Sequence, residues 1–227
     1  MDKKLEHKIK NCERRVIFMN KVIRKLISLA LASVIGISGT SVFAVSETCS
    51  HGKRTFNDHK LTGGVGEYGS FRRYYWVDSS VPSSFNTAIS DAVNKWVNTT
   101  SSPGVTTSIS IRKTSVKKDS SFDLYGTVLG GTKTGLTEFW VFDDKVTDPS
   151  SKNWGWNKIY IDKINTQNPN IYTTTVKSGL VAHEFGHAMG LSHQPSHPTD
   201  SIMYNYDNRK QKTPAKIDCQ NINHIYG

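Results

Sequence analysis

His183-Glu184-Phe185-Gly186-His187-Ala188-Met189-Gly190-Leu191-Ser192-His193 is an HExxHxxGxxH string, and Met203 follows ten residues beyond it. Two histidines four residues apart lie on one face of a helix, one turn from each other, and can hold one metal ion together. A catalytic zinc takes three protein ligands and keeps a fourth position for water. His193 supplies the third if the chain turns back after the helix. Gly190 stands where that turn must come, and glycine tolerates the left-handed conformation that helix exits use. Glu184, next to the first ligand, is placed to take a proton from a metal-activated water and is not itself a ligand.

This string followed by a methionine turn resembles the metzincin zinc metallopeptidases, and Ser201-Ile202-Met203-Tyr204-Asn205-Tyr206 is similar to that turn. Within that group the chain looks most like the matrixin-like, matrix metalloproteinase-like bacterial branch. The likeness runs from about Phe71 to Gly227 and includes an aromatic strand before a proline-led helix. It also takes in Thr213-Pro214-Ala215-Lys216-Ile217-Asp218 and the closing Ile225-Tyr226-Gly227. The resemblance implies an α+β, zincin-like fold: a mixed, mostly parallel twisted sheet of about five strands with three main helices. The zinc cleft would lie between a sheet-plus-helix subdomain and a small C-terminal subdomain. It further implies a zinc-dependent endopeptidase acting on protein or peptide substrates, with His183, His187 and His193 as ligands, Glu184 as general base and acid, and Met203 beneath the metal. Substrate would add as a strand along the sheet's edge, for which Thr137 to Phe142 is one assignment and an internal strand the other. Tyr204 to Tyr206 would wall the specificity pocket.

Departures from the family pattern narrow the expectation. Asn205 occupies the place where some metzincins carry a tyrosine two residues after the methionine, so neither Tyr204 nor Tyr206 inherits that role by position. No His/Asp-rich cluster lies between Thr114 and Asp162, so one zinc is expected. Calcium is compatible with the resemblance, with Asp143, Asp144 and Asp148 either serving it or forming a solvated surface. His197 is expected on an exposed loop. A binding module that kept the scaffold and lost turnover is the rival reading, and the complete set of ligands, base and turn argues against it.

The N-terminus addresses location. Lys21, Arg24 and Lys25 precede an apolar run from Leu26 to Phe43, and Val42-Phe43-Ala44 offers small residues for cleavage. Residues 1–44 thus read as a leader with a secretory signal peptide, translation starting at Met19 or Met1, and residues 45–227 as one catalytic domain. Ser28, Ser33, Gly36, Ser38 and Gly39 interrupt the run, so no stable membrane anchor is expected and the enzyme should be free, extracellular and monomeric. The leader holds nine Lys and Arg against three Asp and Glu, which takes six from the formal charge of +10 and leaves about +4. The basic balance is therefore no argument for nucleic acid, and Arg72-Arg73-Tyr74-Tyr75-Trp76 reads as a buried strand. Cys12 falls in the leader. Cys49 and Cys219 are left to pair in an oxidising exterior, against the alternative of a Cys49 thiolate on the metal.

Along the domain, Val45 to Gly69 is a polar docking arm or loop. Its GxGxxG at Gly64–Gly69 lacks the βαβ setting of a nucleotide site. Pro82 opens a helix with Phe85, Ile89, Val93, Trp96 and Val97 on its core face. Further strands are expected at 108–113, 127–129, 137–142 and 158–162. The ligand helix is expected over 173–189, capped by Thr174 or Thr175.

Overall fold

The strand that carries the first aromatic run, β1 (Arg73–Val77), alternates with the pleat: Tyr75 points inward and is buried, while Tyr74 and Trp76 face outward. The computed structural model describes residues 54–66, 73–194, 200–205 and 211–227, all within one compact unit, Thr48–Gly227. The leader, Cys49, the outer part of Gly64–Gly69, His197 and Tyr206 lie outside the described residues.

A 3-10 turn at Ser83–Phe85 leads into α1 (Asn86–Val97). Then come β2 (Ile111–Lys113), β3 (Phe122–Thr127), β4 (Gly135–Val141), β5 (Asp144–Val146) and β6 (Trp156–Asp162). α2 (Thr174–Ala188) and α3 (Lys216–Tyr226) complete the order. The six strands lie as β2-β1-β3-β6-β4-β5. β2, β1, β3 and β6 run parallel, and β4 is antiparallel to both β6 and β5. This is the mixed, mostly parallel sheet that the resemblance implied, with six strands in place of about five.

α1 and α2 cover one face of this sheet. Ile89, Val93 and Trp96 from α1 and Leu180, Val181 and Phe185 from α2 are buried against Phe122, Leu124, Ile159 and Ile161. The Phe185 ring centroid lies 5.3 Å from that of Phe122 and 6.1 Å from that of Tyr75. Trp96 donates its indole N–H to the Ala182 carbonyl at 2.9 Å, tying α1 to α2 one residue before the first ligand histidine. On the opposite face, Trp76, Tyr125 and Tyr160 pack ring to ring, Trp140 stacks on Trp156, and Lys117 and Lys158 lie over these rings. The aromatic run of β1 thus divides between a core face and a self-packed outer face.

Several expectations are corrected in detail. Val97 is 37% exposed, because the residue after Trp96 is turned about 100° away from the core face. The strand expected at 127–129 is instead Phe122–Thr127. Asp123 and Gly126 had hidden its alternation, and Gly126 is needed because a Cβ there would lie 2.2 Å from the Ser80 carbonyl oxygen. Thr173, not Thr174 or Thr175, caps α2, its hydroxyl accepting from Val176 N. The edge strand is shared: β5 covers Phe139–Val141 of β4, leaving Gly135 to Glu138 without a strand partner on that side among the described residues. Phe142 belongs to the turn between them.

Candidate active site

The sequence of α2 ends in a geometry that its last residues prescribe. Gly190 has φ +115°, its N–H bonds the His187 carbonyl, and Leu191 N–H bonds the Gly186 carbonyl, both at 2.9 Å. Those two bonds are the Schellman pattern of a glycine-terminated helix. The turn throws the chain back so that His193 meets the two helix histidines. His187 Nε2 and His193 Nε2 are 3.0 Å apart, and His183 Nε2 and His193 Nε2 are 3.3 Å apart.

Each helix histidine is oriented by its other nitrogen. His183 Nδ1 lies 2.8 Å from the Ile202 carbonyl oxygen and His187 Nδ1 2.8 Å from that of Leu191. A carbonyl can only accept, so both Nδ1 atoms carry the proton and both Nε2 atoms present a lone pair to the centre. Converging acceptors of this kind suit a cation. Around a tetrahedral zinc with ligand bonds of about 2.1 Å, nitrogens stand roughly 3.4 Å apart, close to the observed spacings. Among the described residues these histidines form the one group of three or more His, Cys, Asp or Glu side chains close enough to share an ion. His183 and His187 are buried and His193 is exposed, so the site opens on the side of the third ligand.

Met203 is buried directly beneath. A Cβ on Gly186 would fall 2.4 Å from the Met203 sulfur, so the glycine inside HEFGH makes room for the methionine. The turn is anchored by Asp218 at the start of α3. Its carboxylate accepts from Ser201 Oγ at 2.6 Å, Ile202 N at 2.9 Å and Ala215 N at 2.8 Å. Burial pushes the Asp218 carboxyl above its usual range, and these donors pull against that. Nearby Cys219 is wholly buried; burial, with the Asp218 charge adding, pushes it as a thiol up to about 12. Its expected partner Cys49 lies outside the described residues.

Two contributors escaped the sequence reading. Of the docking arm or loop expected over Val45 to Gly69, residues 54–61 form a docked arm, and what it docks against was not foreseen. Ser192 N–H bonds the Arg54 carbonyl at 2.9 Å, Phe56 N–H bonds the Gly190 carbonyl at 3.1 Å, and Thr55 bridges Leu191. It therefore braces the segment between the second and third ligands, and the Phe56 ring packs 5.9 Å from that of His187. The other is the start of β4. Gly135, Thr137 and Phe139 share the face turned towards α2, two residues apart. Thr137 Oγ1 stands 2.7 Å from Glu184 Oε2, and a Cβ on Gly135 would come within 2.4 Å of Glu184 Oε1. No motif announces either residue. Beside them a cavity of about 400 Å³ is walled by Phe56, Leu136, Phe139, Val146, Glu184 and His187.

Three histidines close enough to share one metal, with a buried carboxylate beside them, fit a metal-dependent hydrolase. The matrixin family model matches residues 77–227, and the chain belongs to that family, the zinc-dependent metalloendopeptidases that act on protein or peptide substrates. No curated protein matches the chain. No helix among the described residues is long and apolar enough to cross a membrane.

Proposed function

We propose that the chain is a secreted, monomeric endopeptidase in which His183, His187 and His193 hold one zinc ion and Glu184 is the general base and acid. The observation that carries this is the convergence of the three imidazole Nε2 atoms beside the buried Glu184 carboxylate. Zinc, when bound there, supplies Lewis acidity towards the attacking water and the scissile carbonyl. The chain does the rest. The free half of β4 receives the peptide as an added strand. The cavity walled by Phe56, Phe139 and Val146 takes an apolar side chain next to the reacting bond. Glu184 accepts the proton from the water as it attacks and delivers it to the departing amine nitrogen.

The leader supports export, Met19 giving a compact signal peptide, and the mature chain would then begin near Val45, with Cys49 and Cys219 joined. Calcium, if bound, would draw on the exposed acidic hairpin and loop of Asp143, Asp144 and Asp148; thermal melting with and without calcium tests it.

The main test is hydrolysis of quenched-fluorescent casein by the wild type and Glu184→Gln, with zinc measured on both. A base contributes about 10²- to 10⁴-fold. Glu184→Gln should lose at least about 100-fold while keeping one zinc per chain. Turnover that survives the substitution would remove Glu184 from the role. A wild type that holds zinc and cleaves nothing would favour the binding-module reading.

A further inference from the structure

We infer that the Thr137 hydroxyl is a positioning residue for Glu184, setting its carboxylate from the substrate-binding strand; this rests on the reading of Glu184 as the base. Thr137 Oγ1 lies 2.7 Å from Glu184 Oε2 and 3.1 Å from the backbone carbonyl oxygen of the same residue. A backbone carbonyl and an ionised carboxylate can only accept, so towards the base form of Glu184 the hydroxyl is the donor and its single proton is shared between two oxygens of that residue. One contact fixes the side chain and the other registers it against the helix. Threonine suits the task because its branched Cβ restricts rotation about χ1. Thr137 is itself held in the ladder opposite Ile159 of β6, a wholly buried residue.

Gly135 limits the carboxylate from the other side. Any side chain there would overlap Glu184 Oε1 at 2.4 Å. Glu184 is 5% exposed, so its carboxylate is seated between a hydroxyl and a bare backbone, both furnished by one face of β4. A carboxylate that must meet a water and then an amine nitrogen gains from being held in advance, since an error of about 1 Å in placement can cost about 100-fold. Because β4 also presents the free edge to the peptide, one strand places the base and the substrate against each other. A peptide docking on that edge would therefore meet a base already in register with its backbone. The hydroxyl takes no part in bond making. Its hydrogen bonds run to Glu184, and its effect passes through that residue.

The experiment compares wild type, Thr137→Val, Thr137→Ser and Glu184→Gln on a quenched-fluorescent peptide, recording kcat and KM separately, zinc content and melting temperature. Valine keeps the shape and strand preference and deletes the donor; serine restores the donor on a smaller side chain. The expected result is a kcat for Thr137→Val about 10- to 100-fold below wild type, KM within about twofold, and zinc and melting unchanged. Thr137→Ser should recover most of that loss. If Glu184→Gln is inactive with zinc bound while Thr137→Val keeps wild-type kcat, the inference is wrong and the base assignment stands. If Glu184→Gln keeps its activity, the base assignment itself fails. A Thr137→Val enzyme with raised KM and normal kcat would make Thr137 a substrate contact, and a loss that serine does not recover would make its role packing; either overturns the inference.

Discussion

The two walls of the cleft are built in opposite ways. The wall made by α2, its glycine exit and the methionine turn is assembled from residues close in sequence, and its parts hold one another. Leu191 O orients His187, Ile202 O orients His183, and Gln194 N–H bonds the Met203 carbonyl at 2.9 Å. The wall made by β4 lies some 47 residues upstream of Glu184, which it grips through Thr137. In the proposed mechanism the first wall holds the metal and the second places the base and the peptide. The difference teaches that metal binding and turnover should separate under mutation.

The largest expected effect breaks the first wall from behind. Asp218→Ala leaves Ile202 N, Ala215 N and Ser201 Oγ without their common acceptor in a buried site. Stability should fall by about 3 kcal/mol, which for a domain of this size lowers the melting temperature by roughly 6–12 °C. Because Ile202 also supplies the carbonyl behind His183, zinc affinity should drop by about 10- to 100-fold. Chelator competition measures it. Unchanged zinc affinity in a destabilised variant would mean that the methionine turn does not depend on α3 for its place.

The next effect sharpens the contrast from the other wall. In Gly135→Ala the new methyl group would sit 2.4 Å from Glu184 Oε1, and the carboxylate has to swing away. The expected loss in kcat is about tenfold or more, with zinc content at the wild-type value. Loss of zinc together with kcat would show the two walls to be one mechanical unit.

That division also explains how much could be read from the chain alone. The convergence of His183, His187 and His193 and the glycine exit were legible because local helix geometry brings together residues spaced by four and because a Schellman exit needs its glycine at one position. The helix Asn86–Val97 was legible through its apolar spacing. Gly135 and Thr137 were not, since a glycine and a threonine at the start of GLTEFWV are ordinary there until the register with β6 and the packing on α2 bring them against Glu184. The bracing by Arg54, Thr55 and Phe56 was equally hidden, because backbone hydrogen bonds to residues 190–192 carry no side-chain signature. β5, with three residues and Asp144 and Lys145 exposed, has too little alternation to be seen.

The smallest effect lies at the far end of β4, where the hairpin turns. Phe142 is 86% exposed and holds φ at +51°, a conformation that costs a side chain with a Cβ about 1–2 kcal/mol. The hairpin closes despite that cost because the Trp156 indole N–H bonds the Phe142 carbonyl at 2.8 Å and Val141 pairs with Asp144. Neither contact uses the phenyl ring. Asparagine tolerates this region far better, so Phe142→Asn should raise stability by about 1 kcal/mol and the melting temperature by roughly 2–4 °C. Zinc and kcat should stay at wild-type values, since the tip touches neither the metal centre nor Gly135 and Thr137. A fall in melting temperature would mean that the exposed ring packs on something in the native state. A change in kcat would mean that strain at the tip is transmitted along β4 to the base, and the second wall would then extend over the whole strand.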